Sequence, residues 1–483
     1  MDEIGLEEVK KRAVGGVLAL TSRTFLLQII SFLTTFLLTI FLAPSVFGVF
    51  FVVSAVISFL GYFSDIGLAA ALIQKREAVT GDDLKTTFTI QQVLVGVIVI
   101  IALFLSRQLS SFYNLDTAGL WLFRALVVSF FLSSLKTIPS ILLERKLAFN
   151  KLVIPQILET SAFSLIVVVL AVKGFGLTSF TWAVLARGVI GLAAIYVLSP
   201  WKIGIGFSKT VAKRLLSFGL PFQANSILAL IKDDLFTIFL GKVLPFNQIG
   251  YIGWAKKWAE FPLRLVMDNV IKVTFPAYAR LQEKPEYLGK ALDKSIFFLS
   301  FLILPLSVAF VFAIKPLVFF IPKYLKWEPA LFSFYLFVIA SIFAGLSTPL
   351  TNVLNAIGKI KITLYLMIVW TVLTWLLGPF LVFKLGFNGV AISSAMIGLT
   401  VVIPVLMVKR FVRFHLVANI MPSLVASMTL AVFFYLTLAL TTKMTWLIFL
   451  LLMGSIIYLV SVYILTKGRI FEEAKTLWQN FRS

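Results

Sequence analysis

The chain contains no cysteine and a single histidine, His415. The first lack excludes disulfides, thiolate metal sites and thiol chemistry, and the second excludes a histidine metal cluster. No stretch between the apolar runs exceeds about twenty residues, which leaves no room for a soluble catalytic or nucleotide-binding domain. No GxxxxGK[ST] phosphate loop occurs either, and neither a cofactor nor a metal is expected. Acidic residues are scarce, 21 Asp and Glu against 43 Lys and Arg, for a net charge of +22. In a soluble protein that surplus would suggest nucleic acid. Here it lies mostly in alternate connecting loops, so no nucleic-acid partner is expected.

What is present is apolar length. Hydrophobic residues make up 60% of the 483, with a mean hydropathy of +1.02. They fall in repeated runs of about twenty, the length that spans some 30 Å of hydrocarbon as a helix. Continuous runs such as SLIVVVLAV lack the period-two alternation of a transmembrane barrel, so the expected class is an all-α polytopic membrane protein. Fourteen helices are expected, near 14–42, 46–73, 84–106, 118–143, 152–172, 177–199, 217–241, 249–279, 294–321, 329–356, 361–383, 387–408, 419–441 and 445–466. No small-residue cleavage site follows the first apolar run, so that helix is expected to be retained. On this layout about 26 Lys and Arg lie on the side that holds both termini and about 8 on the other, which assigns the termini to the cytoplasm by the positive-inside rule.

The first twelve helices carry an internal repeat of roughly 200 residues. Thr39-Ile40-Phe41-Leu42 recurs as Thr237-Ile238-Phe239-Leu240, each followed by a short turn and then Phe47-Gly48-Val49-Phe50 or Ile249-Gly250-Tyr251-Ile252. Ala71-Leu72-Ile73-Gln74 answers Ala279-Arg280-Leu281-Gln282, and Lys173-Gly174-Phe175 answers Lys384-Leu385-Gly386-Phe387. Six helices per half keep the same orientation, as in parallel transporter repeats related by a pseudo-twofold along the membrane normal. The expected organisation is an N-lobe at 1–200, a cytosolic interfacial linker at 201–217, a C-lobe at 218–410, an extra helix pair at 411–466 and a tail at 467–483. The segment 207–218 mixes a Ser208 cap and Lys209, Lys213 and Arg214 with Val211, Leu215 and Leu216, a pattern suited to a membrane surface.

Charges inside the spans point to function, because each ionisable group at mid-membrane costs roughly 2.5–3.5 kcal/mol to insert. The stretch 249–282 carries Lys256, Lys257, Glu260, Arg264, Asp268 and Lys272 on an otherwise apolar helix. Five of these recur every fourth residue with alternating sign, so they climb one helix face and can pair at i,i+4. Arg23, Asp65, Arg124, Lys136, Glu159, Arg187, Lys232, Asp233 and Asp234 complete the set. The sum is cationic, and such groups must meet water or one another. A basic chamber lined by both halves would suit an anionic cargo, since Arg and Lys supply charge-assisted hydrogen bonds to phosphate oxygens. The prolines in or beside spans, with Pro262 and Pro276 in the charged helix itself, allow bends that an alternating mechanism could use.

Residues 42–77, with FG, SDIGL and AAALIQ elements, are similar to the second-helix region of prokaryotic oligosaccharide repeat-unit flippases of the Wzx type. Residues 218–281, with the IGYI turn and the FPAYARL ending, resemble that family's seventh and eighth helices. The resemblance implies a two-lobed fold of the multidrug/oligosaccharidyl-lipid/polysaccharide superfamily in a prokaryotic plasma membrane. It implies translocation of polyprenyl-diphosphate-linked oligosaccharide from the cytosolic to the outer leaflet for surface polysaccharide synthesis, with no reaction catalysed. The implied partners are the lipid-linked glycan, membrane lipids, and the polysaccharide polymerase and glycosyltransferases of the pathway. Candidate substrate-binding cations are Arg23, Arg124, Arg187, Lys232, Lys256, Arg264 and Lys272, and candidate ion-coupling carboxylates are Asp65, Asp233, Asp234, Glu260 and Asp268. The alternative is an organic-cation or drug antiporter of the same superfamily, which would need a net acidic or aromatic pocket. A membrane glycosyltransferase would be expected to show a large outer loop or catalytic acid and histidine clusters, and a non-transporting scaffold would have no use for charges within the bilayer.

Overall fold

Every element formed by the described residues is a helix, as apolar sequence without water to satisfy its amides requires. The computed structural model describes residues 6–75, 77–224, 227–438 and 444–468, and the side chains at 6–22, 220–222, 224, 268–269 and 272–273 fall outside that description. Packing divides the chain into two units, one ending at Gly250 and the other beginning at Tyr251.

The first unit runs α1 (Leu6–Phe41), α2 (Pro44–Asp65), α3 (Leu68–Gln74), α4 (Gly81–Phe104), α5 (Ser106–Phe112), α6 (Thr117–Ser134), α7 (Thr137–Arg145), α8 (Phe149–Val172) and α9 (Thr178–Leu198). It continues through α10 (Lys209–Ala224), α11 (Ile227–Leu230), a π turn at Ile231–Leu235, α12 (Phe236–Val243) and the first turn of α13 (Phe246–Arg280). The second unit holds the rest of α13, then α14 (Pro285–Phe320), a 3₁₀ turn at Leu325–Ala330, α15 (Leu331–Ala356), α16 (Ile360–Leu385), α17 (Asn388–Gly398), α18 (Val402–Lys409), α19 (Leu416–Leu438) and α20 (Met444–Leu465).

Among the described residues, twelve helical segments are long and apolar enough to cross a membrane. They correspond to twelve of the fourteen expected spans, so a count of fourteen is not reached on length and apolarity alone. The two others are instructive. Of the expected span at 217–241, the end of α10 and the helix from α11 through the π turn to α12 are described, and neither described stretch is long enough to count alone. The expected span at 249–279 forms one long helix, α13, but its charges take it out of the apolar class.

Two further expected spans break near their cytosol-assigned ends. Asp65 ends α2, Ile66 and Gly67 take left-handed φ values of 42° and 78°, and α3 begins at Leu68. The Asp65 carboxylate accepts the Ala69 amide at 3.2 Å, satisfying a donor that the start of α3 leaves open. Gly67 needs its missing side chain twice over, for its φ and because a Cβ there would overlap the backbone of Gly219 in α10. The expected span at 118–143 divides likewise into α6 and α7 around Leu135 and Lys136. The core beneath these breaks joins α3, α4, α7 and α10 through Leu68, Leu72, Phe88, Ile138 and Leu215.

Candidate functional site

In the second unit, α13 presents two unlike faces. One is buried: Trp254 stacks on Trp327 at 5.4 Å between ring centroids with planes 10° apart, Trp258 is buried, and the Ser341 hydroxyl donates to the Ala259 carbonyl at 3.1 Å. The other carries Lys256, Lys257 and Arg264, all exposed, with half-buried Glu260 among them. Glu260 accepts from Arg264 Nη2 at 2.9 Å and Nε at 3.3 Å, and its other oxygen lies 3.9 Å from Lys256 Nζ. Successive fourth residues drift only about 40° around a helix, so these three groups form one ladder. From Phe246 to Thr274 no described large apolar side chain is exposed. By contrast α16 exposes Leu364, Tyr365, Ile368, Val372, Leu376, Phe380 and Phe383, the stripe expected of a helix bathed in acyl chains. The open side of α13 is therefore suited to water, and its described charges are three cations to one carboxylate. Asp268 and Lys272, the remaining rungs of the expected ladder, lie outside the described side chains.

In the first unit the charged groups separate into partnered and open sets. Arg23 donates to Gln156 Oε1 on α8 at 2.5 Å, while its Nε is buried without a partner. Arg124 donates through Nε to Ser106 at 3.2 Å and lies 5.3 Å from the centroid of the Trp121 ring, a local arrangement that holds α5 against α6. Lys136 and Glu159 meet at 2.6 Å between the α6–α7 junction and α8, against Gly191, where any Cβ would strike the Glu159 carboxylate. Asp65 is engaged as the cap described above.

Arg187 differs from these. It is exposed and makes no hydrogen bond or ion pair with another described residue. On α9 it points about 140° to 160° away from Trp182 and Val189, which at 57% and 56% exposure mark the lipid-facing side. Its exposure is thus directed away from the acyl-facing stripe.

The π turn at Ile231–Leu235 gathers Lys232, Asp233 and Asp234. Lys232 Nζ lies 3.2 Å from Asp233 Oδ1, and Ser58 on α2 donates to Asp234 Oδ2 at 3.0 Å. π turns insert one residue into the helical ladder and are frequent at functional sites. The turn places two carboxylates and a lysine beside α2, an arrangement the KDD triplet shows only as composition.

One buried carboxylate lies just ahead of the expected span at 84–106. Asp83, fully buried in the first turn of α4, accepts from Lys75 Nζ at 2.5 Å, Arg214 Nη2 at 2.6 Å, and the amide and hydroxyl of Thr80 at 2.8 and 2.9 Å. The signal was legible: Thr80 with an acid three residues on is a capping box. Close by, Arg145 donates to the carbonyls of Leu72, Lys75 and Glu77 at 2.6, 2.7 and 2.9 Å, closing the C-terminal end of α3. In the second unit Asp293 on α14 accepts the His415 amide at 2.7 Å and Asn419 Nδ2 at 2.6 Å, with His415 Nδ1 at 3.2 Å.

The fold is that of a known structure, the lipid II flippase MurJ in an inward closed conformation, with a TM-score of 0.76 over 93% of this chain and 99% of that one at 15% identity. In sequence the chain is 23% identical to the succinoglycan biosynthesis transport protein ExoT of Rhizobium meliloti (strain 1021) over 54% of its length. It is also 23% identical to the lipopolysaccharide biosynthesis protein WzxC of Escherichia coli (strain K12) over 66% of its length. The matches span 53% of the first relative and 64% of the second, less than two thirds of either. Residues 37–328 match the family model described as polysaccharide biosynthesis protein, a range that contains both segments singled out in the sequence, 42–77 and 218–281. The chain belongs to that polysaccharide biosynthesis family.

Proposed function

We propose that this protein is a flippase for polyprenyl-diphosphate-linked oligosaccharide repeat units, moving them from the cytosolic to the outer leaflet by alternating access without catalysing a reaction. The observation that carries the reading is the open face of α13 between Phe246 and Thr274, which exposes Lys256, Lys257 and Arg264 and, among the described side chains, no large apolar one. A bilayer-embedded helix with such a face needs an aqueous path, and guanidinium and ammonium groups there complement phosphate oxygens. Family membership and the names of the relatives support the same cargo class. In this reading Arg23, Arg187, Lys232, Lys256, Arg264 and Lys272 hold the diphosphate or acidic sugars. Arg124 is the weaker candidate, since Ser106 and Trp121 already engage it. Asp233 and Asp234 in the π turn are candidates for coupling to an ion gradient, whereas Asp65 serves a helix end.

In this reading the protein lies in a prokaryotic plasma membrane, and the distribution of Lys and Arg among the loops supports cytoplasmic termini. The polymerase and glycosyltransferases of the same pathway are its expected partners. The test is flipping in proteoliposomes and surface-glycan output with Lys256→Ala and Arg264→Ala. Loss of both outputs at normal protein level is expected, and unchanged output would remove the role assigned to α13. Transport of organic cations in place of the lipid-linked glycan would favour the drug-antiporter alternative.

A further inference from the structure

The segment 201–208 between α9 and α10 takes no helix, and its side chains alternate in exposure. Ile203, Ile205 and Phe207 are 57%, 82% and 67% exposed, while Gly204 and Gly206 between them face α4. The glycines leave room for Lys85: a Cβ at Gly204 would lie 3.0 Å from that side chain, and one at Gly206 3.2 Å. The segment is pinned at three points. The Gly206 amide donates to Thr89 Oγ1 at 3.1 Å, the Ser208 amide donates to Thr86 Oγ1 at 3.0 Å, and Trp201 packs edge-on against Phe88 at 5.0 Å. Period-two alternation on a pinned, extended backbone thus turns three large apolar side chains outward in a row.

The surroundings of that row are cationic. Lys85, Lys202, Lys209 and Lys213 are exposed around it, and residues 201–224 contain no Asp or Glu. Lys209, Thr210, Lys213, Arg214 and Ser217 line one open cavity of about 510 Å³ along α10. Arg214 is tied to Asp83, and buried Ala212 and Leu215 hold α10 against α3 and α4. Thr86 and Thr89 stand in the first turns of a span, so the apolar row lies where hydrocarbon gives way to headgroups, at the end of the bundle richest in basic residues.

We propose that this surface, Ile203, Ile205 and Phe207 with Lys202, Lys209 and Lys213, is a binding site for anionic phospholipid, the apolar row entering the acyl boundary and the lysines contacting lipid phosphate. Apolar side chains that lie flat in the interface, flanked by cations, bind through buried area together with attraction to anionic headgroups. The Thr210 hydroxyl beside the lysines is a further donor for phosphate. The site would fasten the connection between α9 and α10 to the leaflet independently of any cargo.

The test uses the full chain, which has no native cysteine to remove. Ile205→Cys and Thr210→Cys carry a polarity-sensitive fluorophore in nanodiscs containing acyl-brominated lipid. Strong quenching at 205 and weak quenching at 210 are expected, and equal weak quenching at both overturns the apolar half. Thermal melting in detergent with added phosphatidylglycerol or phosphatidylcholine reads the charged half. Phosphatidylglycerol is expected to raise the wild-type Tm more than phosphatidylcholine, and Lys202→Gln/Lys209→Gln/Lys213→Gln to lose the difference. No difference in the wild type overturns the proposal. A shift with polyprenyl diphosphate but not with phosphatidylglycerol also overturns it, by making this a cargo dock.

Discussion

Gly48 and Gly250 hold the same place in the two halves of the internal repeat, and their contacts are reciprocal. A Cβ on Gly48 would fall on the carbonyl of Phe246, four residues before Gly250, and a Cβ on Gly250 would fall on the carbonyl of Pro44, four residues before Gly48. The first turns of α2 and α13 thus cross backbone to backbone. The recurrence of Phe-Gly-Val-Phe as Ile-Gly-Tyr-Ile has this contact as its physical reason.

Replacing either glycine by Val forces that crossing apart. Each substitution is expected to cost about 1–3 kcal/mol, as overpacking at a close contact does, and to lower the melting temperature of the purified protein. An equal cost at both positions is expected from the reciprocity, and a cost at only one would contradict it.

Glu260→Gln separates packing from charge on α13. Exposed ion pairs contribute about 0–1 kcal/mol, and Arg264 is 69% exposed in this one, so thermal stability should stay close to that of the wild type. Flipping in proteoliposomes should change, because the substitution removes the carboxylate that holds Lys256 and Arg264 in line. A large fall in stability would mean that the ladder is structural.

Asp83→Asn should behave in the opposite way. Lys75 is only 9% exposed and would lose its charged partner, a loss that costs roughly 3–5 kcal/mol when a buried pair is broken from one side. Denaturant or thermal unfolding reads this directly. Arg214→Ala should cost less, since Arg214 is half exposed.

Labelling along α9 checks where Arg187 points. With no cysteine in the chain, single substitutions can be read one at a time. Arg187→Cys is expected to react with a water-soluble maleimide, and Trp182→Cys and Val189→Cys are expected to be shielded by lipid. Equal shielding at all three would put Arg187 against acyl chains and withdraw it from the cargo path.

The helical class, nearly all span positions and the charged stripe were legible because apolar length and i,i+4 charge spacing are local properties of the chain. The glycine pairs were legible as a repeat but not as a contact, since a motif does not say what it meets. Asp83 was hidden because its partners, Lys75 and Arg214, are brought together by folding. In the second unit Asp293 bonds His415 and Asn419 where the chain passes into α19, much as Asp83 bonds Arg214 in α10. That pairing of roles needs coordinates, because the residues answering the two acids are chemically unlike. The break at Gly67 and the wide turn at Ile231–Leu235 escaped because hydropathy averages over them.

The wide turn at Ile231–Leu235 acts on α12 like a slipped thread on a screw. One surplus residue is stored there, so a single deletion within the turn relaxes it to ordinary α-helix and leaves α12 facing as it does, with Phe236 and Leu240 buried and the Tyr113 hydroxyl on the Ile238 carbonyl. The same deletion at Thr237, past the turn, has no such reserve and would rotate everything beyond by about 100°, swinging Leu240 out. Where the chain is shortened by one residue therefore matters more here than which side chain is replaced.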